Sequence, residues 1–355
     1  MPEFKHVIIV SDNIRGHYHQ SLGIAQWLGR LGGVKVEEPV KLPEISNLKK
    51  IYMLKIKGRK IPVKDSNYSK KWLASFGISS EDYDRPGTLF ISAGSNAAPF
   101  CLALAKATGN KSAVVMTPSI FGTKPFDYAI VPEHDPHDLN DKKILTTLGA
   151  PNHIFYESAQ KTAEEFFAGR KFSKKVVAVL VGGDDANYQI TEEWVKEVLG
   201  DLKRFPDITT LITTSRRTDE FVEKTVEDLF SSHSTTGYLL IFSRNTKISA
   251  VTAMLGAATH VVVTEDSVSM VSEAATAGFK VGLLRVPRNS GKIKKFFGYG
   301  TQRFDAMFEK MKNQELLIDF GNIPDFDKFL SCDEQKHGKD FNEAKRAAEW
   351  ILNSD

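Results

Sequence analysis

Thr264-Glu265-Asp266-Ser267-Val268-Ser269-Met270-Val271-Ser272-Glu273-Ala274 is the stretch from which the fold can be worked out. The run before it, His260-Val261-Val262-Val263, is short and β-branched and predicts a buried parallel strand. After it, Met270 to Gly278 has helical spacing and stops on a glycine. A second apolar strand, Lys280 to Leu284, follows. Glu265, Asp266, Ser267 and Ser269 therefore stand where a strand hands over to a helix. The free N–H groups of such a helix start attract anions, phosphate above all. Glu273, roughly a turn and a half into the helix, is placed to accept hydrogen bonds from ribose hydroxyls. Capping of the helix by Asp266, Ser267 and Ser269 is the competing account, and the two are compatible.

The same strand, loop and helix alternation recurs on either side. Lys175 to Val181 predicts a strand entering Gly182-Gly183-Asp184-Asp185, with a helix from about Thr191 carrying Glu192-Glu193 in its first turn. Gly182 and Gly183 let a nucleotide or sugar approach the backbone, although the spacing is not the dinucleotide fingerprint. Adjacent carboxylates at a strand end point apart, so Asp184 and Asp185 are not assigned a metal. Thr209 to Thr214 is the next strand and ends in Ser215-Arg216-Arg217-Thr218. Two arginines at a strand's C-terminal end, Arg216 and Arg217, would offer bidentate grips to a diphosphate, with Ser215 beside them. Tyr238 to Phe242 continues the alternation. Lys292, Lys294 and Lys295 beside Phe296-Phe297 form a small basic-aromatic patch, and Phe341 to Leu352 reads as an amphipathic helix.

Upstream, His6 to Val10 predicts the first strand, followed by a loop from Ser11 to His19 and a helix from Gln20 to Leu28. A loop after a first parallel strand is a favoured ligand position, and Gly16 there permits close approach. His17 and His19 are spaced badly for one metal. Surface histidines are the bland reading of both, and His17 is the first candidate for a general base. Leu89 to Ile91 is another strand, running into Ser92-Ala93-Gly94-Ser95-Asn96, where Ser92 and Gly94 are candidate acceptor-side residues. Tyr128 to Val131 leads into Pro132-Glu133-His134-Asp135, and Asp135 is the second candidate base. Turn chemistry around Pro132 and Pro136 is the competing account of that cluster and from sequence alone the slightly stronger one. The polar segment from Asn152 to about Phe172 reads as the connection between domains, giving residues 1–170, residues 171–335, and a last helix within 336–355 that packs back across the boundary.

Composition excludes several classes. The 355 residues suffice for two cores, and 41% hydrophobic with 26% charged residues is ordinary for a soluble chain. Cys101 and Cys332 form neither a metal pair nor a disulfide framework. No run of about 18 apolar residues and no leader pattern is present, so a cytoplasmic protein is expected. The net charge of +3 is uneven. Lys41, Lys49, Lys50, Lys55, Lys57, Arg59, Lys60, Lys64, Lys70 and Lys71 meet only Glu44 and Asp65, a local balance of +8 against −5 for the remainder. Interleaved with Leu48, Ile51, Tyr52, Met53, Leu54 and Ile56, this block suits an anionic membrane surface or an acidic acceptor, or is a solvated basic face. No nucleic-acid motif accompanies it, so nucleic acid is not an expected partner.

Several of these pieces together resemble the mitochondrial fission ELM-like family, whose bacterial members include proteins described as candidate glycosyltransferases. They are Asp12 through Gly23, Ile91-Ser92-Ala93-Gly94, Phe126 through Asp135, Thr147 through Pro151, Leu180 through Asp184, Thr213 through Thr218, and Thr264 through Ala274. They occur in family order. The first loop departs from the family's usual Asp-Gly-x-Pro-Gly-His, with Asn13 and Arg15 in place of the Gly and Pro. The resemblance implies an α/β, GT-B-like architecture of two Rossmann-like domains facing across a cleft. It implies an acceptor domain first and a nucleotide-sugar domain second, with Ser267 meeting phosphate and Glu273 meeting ribose. The expected activity is transfer of a sugar from a nucleotide-diphosphate donor to an envelope-glycan or lipid-linked acceptor, with the donor as substrate and no cofactor or metal. The alternatives are a non-catalytic membrane-surface adaptor and a nucleotide-sugar epimerase or hydrolase. A cytoplasmic position, peripheral at the inner face of a membrane, would follow.

Overall fold

The computed structural model describes residues 4–44, 54, 56–119, 122–135, 141–246, 250–289 and 301–354. The chain divides into two compact units: Met1–His153 with Asn342–Asp355, and Ile154–Phe341. The boundary therefore falls at 153/154, not at 170/171 as expected. The reason is the helix Tyr156–Phe166, whose small face packs on helix Val251–Ala257 of unit 2. Gly256 permits that approach, since a Cβ there would lie 1.9 Å from the Ala159 carbonyl oxygen. A polar outer face made this helix look like a linker, and Ala159 and Ala163 on its inner face make it part of a core.

In unit 1 the strands are β1 (His6–Ser11), β2 (Lys35–Val36), β3 (Val40–Lys41), β4 (Thr88–Ala93), β5 (Lys111–Val115), β6 (Tyr128–Pro132) and β7 (Ile144–Thr147). They lie in the order β2-β1-β4-β5-β6-β7, with β3 also on β1, and every pairing is parallel. Because helices cover both faces, β1 and β4 are buried almost throughout, which is why they read as unbroken apolar runs. Helix Glu343–Asn353 belongs here: Ala344, Ala347, Ala348 and Ile351 join Val7, Ile24 and Leu28 in one core cluster.

Unit 2 contains β8 (Lys175–Leu180), β9 (Ile208–Thr213), β10 (Thr236–Leu240), β11 (His260–Thr264), β12 (Val281–Leu284) and β13 (Leu317–Asp319). Their order, β10-β9-β8-β11-β12-β13, is the doubly wound 3-2-1-4-5-6 arrangement, again all parallel. In each unit the chain leaves a central strand in opposite directions at one point, between β1 and β4 and between β8 and β11. Loops at the carboxyl ends of the strands beside such a switch point are where α/β sheets bind ligands. No described helix is long and apolar enough to cross a membrane. The patch from Lys292 to Phe297, and Lys49 to Met53 and Lys55 of the basic block, lie outside the described residues.

Candidate functional site

The opening stretch forms a strand, turn and helix as its spacing requires. Strand β11 ends at Thr264 and helix Val268–Thr276 follows, with Gly278 beyond it at φ +89°. Ser267 is the N-cap residue, and no side chain caps the helix. The N–H groups of Val268, Ser269 and Met270, and the hydroxyls of Ser267 and Ser269, have no partner among the described residues. Capping is thus excluded as the explanation of these serines, and an uncapped helix start is left open to an anion. Glu273 stands four residues after Ser269, on the same face. Its half-buried carboxyl has no hydrogen-bond partner among the described residues, and burial pushes it up to about 7.

Around this open terminus the other side chains are tied to each other. Asp266, with its carboxylate inside the protein, accepts from the Gly183 amide at 2.8 Å and from Arg217 at 2.7 Å. Burial nevertheless outweighs these partners and raises its carboxyl above the ordinary range. Arg217 also donates to the carbonyls of Gly183 and Asp184, while Arg216 is exposed and makes no described contact. Of the two arginines, only Arg216 is free to meet a ligand. The glycines correct an expectation as well. A Cβ on Gly182 would lie 2.1 Å from the Asp266 carboxylate, and one on Gly183 would lie 2.1 Å from the Arg217 backbone. Protein fills the space expected for a ligand, and the glycines exist so that three strand-end loops can touch.

Two further expectations change. Glu265, expected beside the anion at the helix start, instead has a fully buried carboxylate that receives Arg285, Arg288 and the Val286 amide. It anchors the loop after β12, and Asp305 and Asp319 complete the ion-pair network. A cavity of about 560 Å³ opens beside Trp194, Arg285, Arg288 and Asp305, but both guanidiniums there are already satisfied by carboxylates. The Ser215 hydroxyl closes its own turn by accepting from the Arg217 amide. Asp184 and Asp185 accept backbone N–H groups of Ile190, Asn187 and Tyr188, which shapes the loop after β8.

In unit 1 the helix begins at Arg15, five residues earlier than expected, and so carries Gly16 and His17 in its first turn. Gly16 faces open space. Asp12 turns the chain by accepting from the Ile14 amide, and Asn13 takes φ +62°. The Asp12 carboxylate, 5% exposed, then sits 3.0 Å from Nδ1 of His17. An ionised carboxylate only accepts, so Nδ1 carries the proton and Nε2 is left as an acceptor. Gly94, at φ +79°, seats this imidazole: a Cβ there would lie 2.5 Å from the ring. Asp12 was not singled out as a functional residue by sequence, although an Asp closing a first strand five residues before a His was the available signal. His19 differs from His17. It stacks on His153 at 4.0 Å, and burial, then the charges of His153 and Arg15, push its imidazole down to about 3.

Two other candidates fall away from this grouping. Ser92 lies inside β4, fully buried near Cys101, so it cannot present its hydroxyl to an acceptor. Asp135 follows β6, two strands from β4, and accepts from the Thr117 amide at 3.3 Å. The structure therefore gathers Asp12, His17 and Gly94 at the unit 1 switch point and leaves Asp135 apart from them in the sheet.

Comparison with known proteins places the whole chain. The family described as Mitochondrial fission ELM1 matches residues 15–354. No curated protein matches the chain by sequence. Among solved structures, the Staphylococcus aureus MnaA–UDP complex is 11% identical, with a TM-score of 0.50 over 99% of this chain and 95% of that one. A UDP-glucosyltransferase from Polygonum tinctorium capable of glucosylating indoxyl is 11% identical, with a TM-score of 0.50 over 99% of both chains. A UDP-N-acetylglucosamine 2-epimerase is 10% identical at the same TM-score. These likenesses show the fold: two Rossmann-like parallel-sheet domains of the GT-B class.

Proposed function

This chain belongs to the mitochondrial fission ELM1 family, and from that premise we propose that it is a GT-B-type glycosyltransferase using a nucleoside-diphosphate sugar. The observation that carries the reading is the open start of helix Val268–Thr276 at the unit 2 switch point. Its free amides and the hydroxyls of Ser267 and Ser269 suit a diphosphate, Arg216 adds an exposed positive charge, and Glu273 suits ribose. UDP in the S. aureus structure, and the uridine sugars named for the other two, make uridine nucleotides the first donors to test.

In unit 1, Nε2 of His17 is the group suited to take the proton of an acceptor hydroxyl as its oxygen attacks an anomeric carbon. In unit 2, the helix-start amides suit the charge that gathers on a diphosphate as the sugar–phosphate bond breaks and its electron pair leaves there. Asp12 keeps the imidazole in the accepting tautomer and stabilises it once protonated. The acceptor is a hydroxyl of an envelope glycan or a lipid-linked sugar.

A thermal-shift screen comes first, because a ligand bound to the native state raises its stability with occupancy. Uridine diphosphate and its sugars should raise the melting temperature, and uridine alone should not. A flat response to every nucleoside diphosphate and nucleotide sugar would overturn the reading. Binding without hydrolysis or transfer of any donor would favour the adaptor alternative.

A further inference from the structure

We propose that the segment from Ile56 to Lys64 in unit 1, which includes the 3₁₀ helix Gly58–Val63, is a docking surface for an anionic lipid bilayer, with Ile56 and Val63 entering the interface. Val63 is 82% exposed and Ile56 53%, and Lys57, Arg59, Lys60 and Lys64 stand in the same nine residues with no acid among them. The next carboxylate, Asp65, is occupied in capping helix Ser66–Ala74 through the Tyr68 amide. Single exposed apolar side chains are common on protein surfaces. Two of them in one cationic stretch have the composition of segments that rest in a lipid interface, where apolar tips enter and cations stay at the head groups.

The segment is also held in place before any contact. Ile61 is buried in the unit 1 core, and the Lys106 ammonium donates to the carbonyls of Ile61, Pro62 and Lys64 at 2.9, 2.7 and 2.8 Å. The Tyr68 hydroxyl holds the Lys57 carbonyl at 3.0 Å. A pre-ordered tip loses little conformational entropy on binding, which favours insertion over loose attraction. Charge selects the occupant: an anionic leaflet complements the segment, and a neutral surface does not. Unit 2 supplies the contrast. Phe221 is 68% exposed, but the exposed Asp219 and Glu220 beside it outnumber the one nearby cation, Lys224, the wrong balance for such a surface. The inference stands apart from nucleotide binding and sugar transfer.

Flotation of the full chain with phosphatidylcholine vesicles, with and without phosphatidylglycerol, tests it. The protein should float only with the anionic vesicles. Lys57→Gln with Lys60→Gln should lower partitioning about 25-fold, on roughly five-fold per cation near such a surface. Val63→Asp should remove the fraction that resists added salt, and Phe221→Asp should change nothing. Both positions are exposed, so unchanged circular dichroism and melting temperature serve as the folding control. In a Val63→Trp variant, emission should shift to the blue with anionic vesicles alone. Equal flotation with both vesicle types, wild-type flotation of Val63→Asp, or unshifted Val63→Trp emission would each overturn the proposal.

Discussion

The two switch points share a topology and differ in what they leave free. Between β1 and β4 the available group is a side chain, the imidazole of His17, oriented by Asp12 and seated on Gly94. Between β8 and β11 the nearby side chains are spent on one another, with Asp266, Arg217 and Thr218 lacing the loops together. What remains there is led by backbone N–H at a helix start, with the Ser267 and Ser269 hydroxyls, Arg216 and Glu273 around it. A titratable nitrogen suits moving a proton, and fixed amide dipoles suit holding an anion without reorganising. The comparison teaches that one sheet topology can host either task, decided by whether its loop side chains find partners in neighbouring loops.

The largest effect should come from unit 1. His17→Ala should cut turnover by about 10²–10⁴-fold with nucleotide affinity, read by calorimetry, nearly unchanged. Near-normal turnover would break the comparison, and loss in Asp135→Asn instead would move the base to β6. Asp12→Asn should lower kcat by a smaller factor, about 10–10²-fold, because an amide can hold the ring in its other tautomer. An unaltered kcat there would reduce Asp12 to a loop-turning residue.

A glycine pair sharpens the contrast between laced and open loops. Gly183→Ala should destabilise by about 1–3 kcal/mol in denaturant unfolding, because its Cβ would meet the Arg217 backbone. Gly16→Ala faces open space in a helix and should be neutral or stabilising by at most about 1 kcal/mol. Equal effects would show that the unit 2 loops can part at no cost.

On the proposed reading, Glu273 makes binding depend on pH. Its folded-state carboxyl, near 7, lies above the ordinary 4.5, so between those values the folded chain holds more protons than the unfolded one. Stability contributed by this residue is therefore lost as pH rises from about 4.5 to 7, and Glu273→Gln should melt higher than wild type at pH 8. The ionised form accepts ribose hydroxyls more strongly, so affinity for a nucleotide sugar should rise as pH passes 7 and stay flat in Glu273→Gln. A nucleotide sugar is the right probe because its diphosphate does not titrate there. Glu273→Gln should weaken binding at pH 8 by about 1–2 kcal/mol, and an unchanged affinity would remove the residue from the site. Ser267→Ala should have the smallest effect, under about 1 kcal/mol, since backbone amides do most of the holding; a larger loss would show that the hydroxyl does.

The alternation of β-branched runs with helical spacing made the doubly wound fold legible, because strands buried on both faces leave an unbroken apolar signature. Edge strands such as Lys35–Val36 and Leu317–Asp319 are too short to leave one. The helix start after β11 was legible too, from a strand ending in acidic and hydroxyl residues. What filled the space beside Gly182 was not, since a sequence shows that a Cβ is missing without showing what takes its place. Nor could adjacent Arg216 and Arg217 be told apart: which one turns inward depends on Asp266, 49 residues further on. The partners of Glu265, among them Arg285 and Asp305, were hidden by the same distance along the chain.

One feature of unit 1 bears on the order of synthesis. Its last helix, Glu343–Asn353, fills the core beside Ile24 and Leu28, and Glu343 accepts the Leu148 amide at 3.2 Å. Those residues leave the ribosome only after all of unit 2. A nascent chain carries an unfinished first unit, with the apolar face of helix Arg15–Gly32 bare, for as long as the second takes to be made. Unit 2, contiguous from Ile154 to Phe341, can close first.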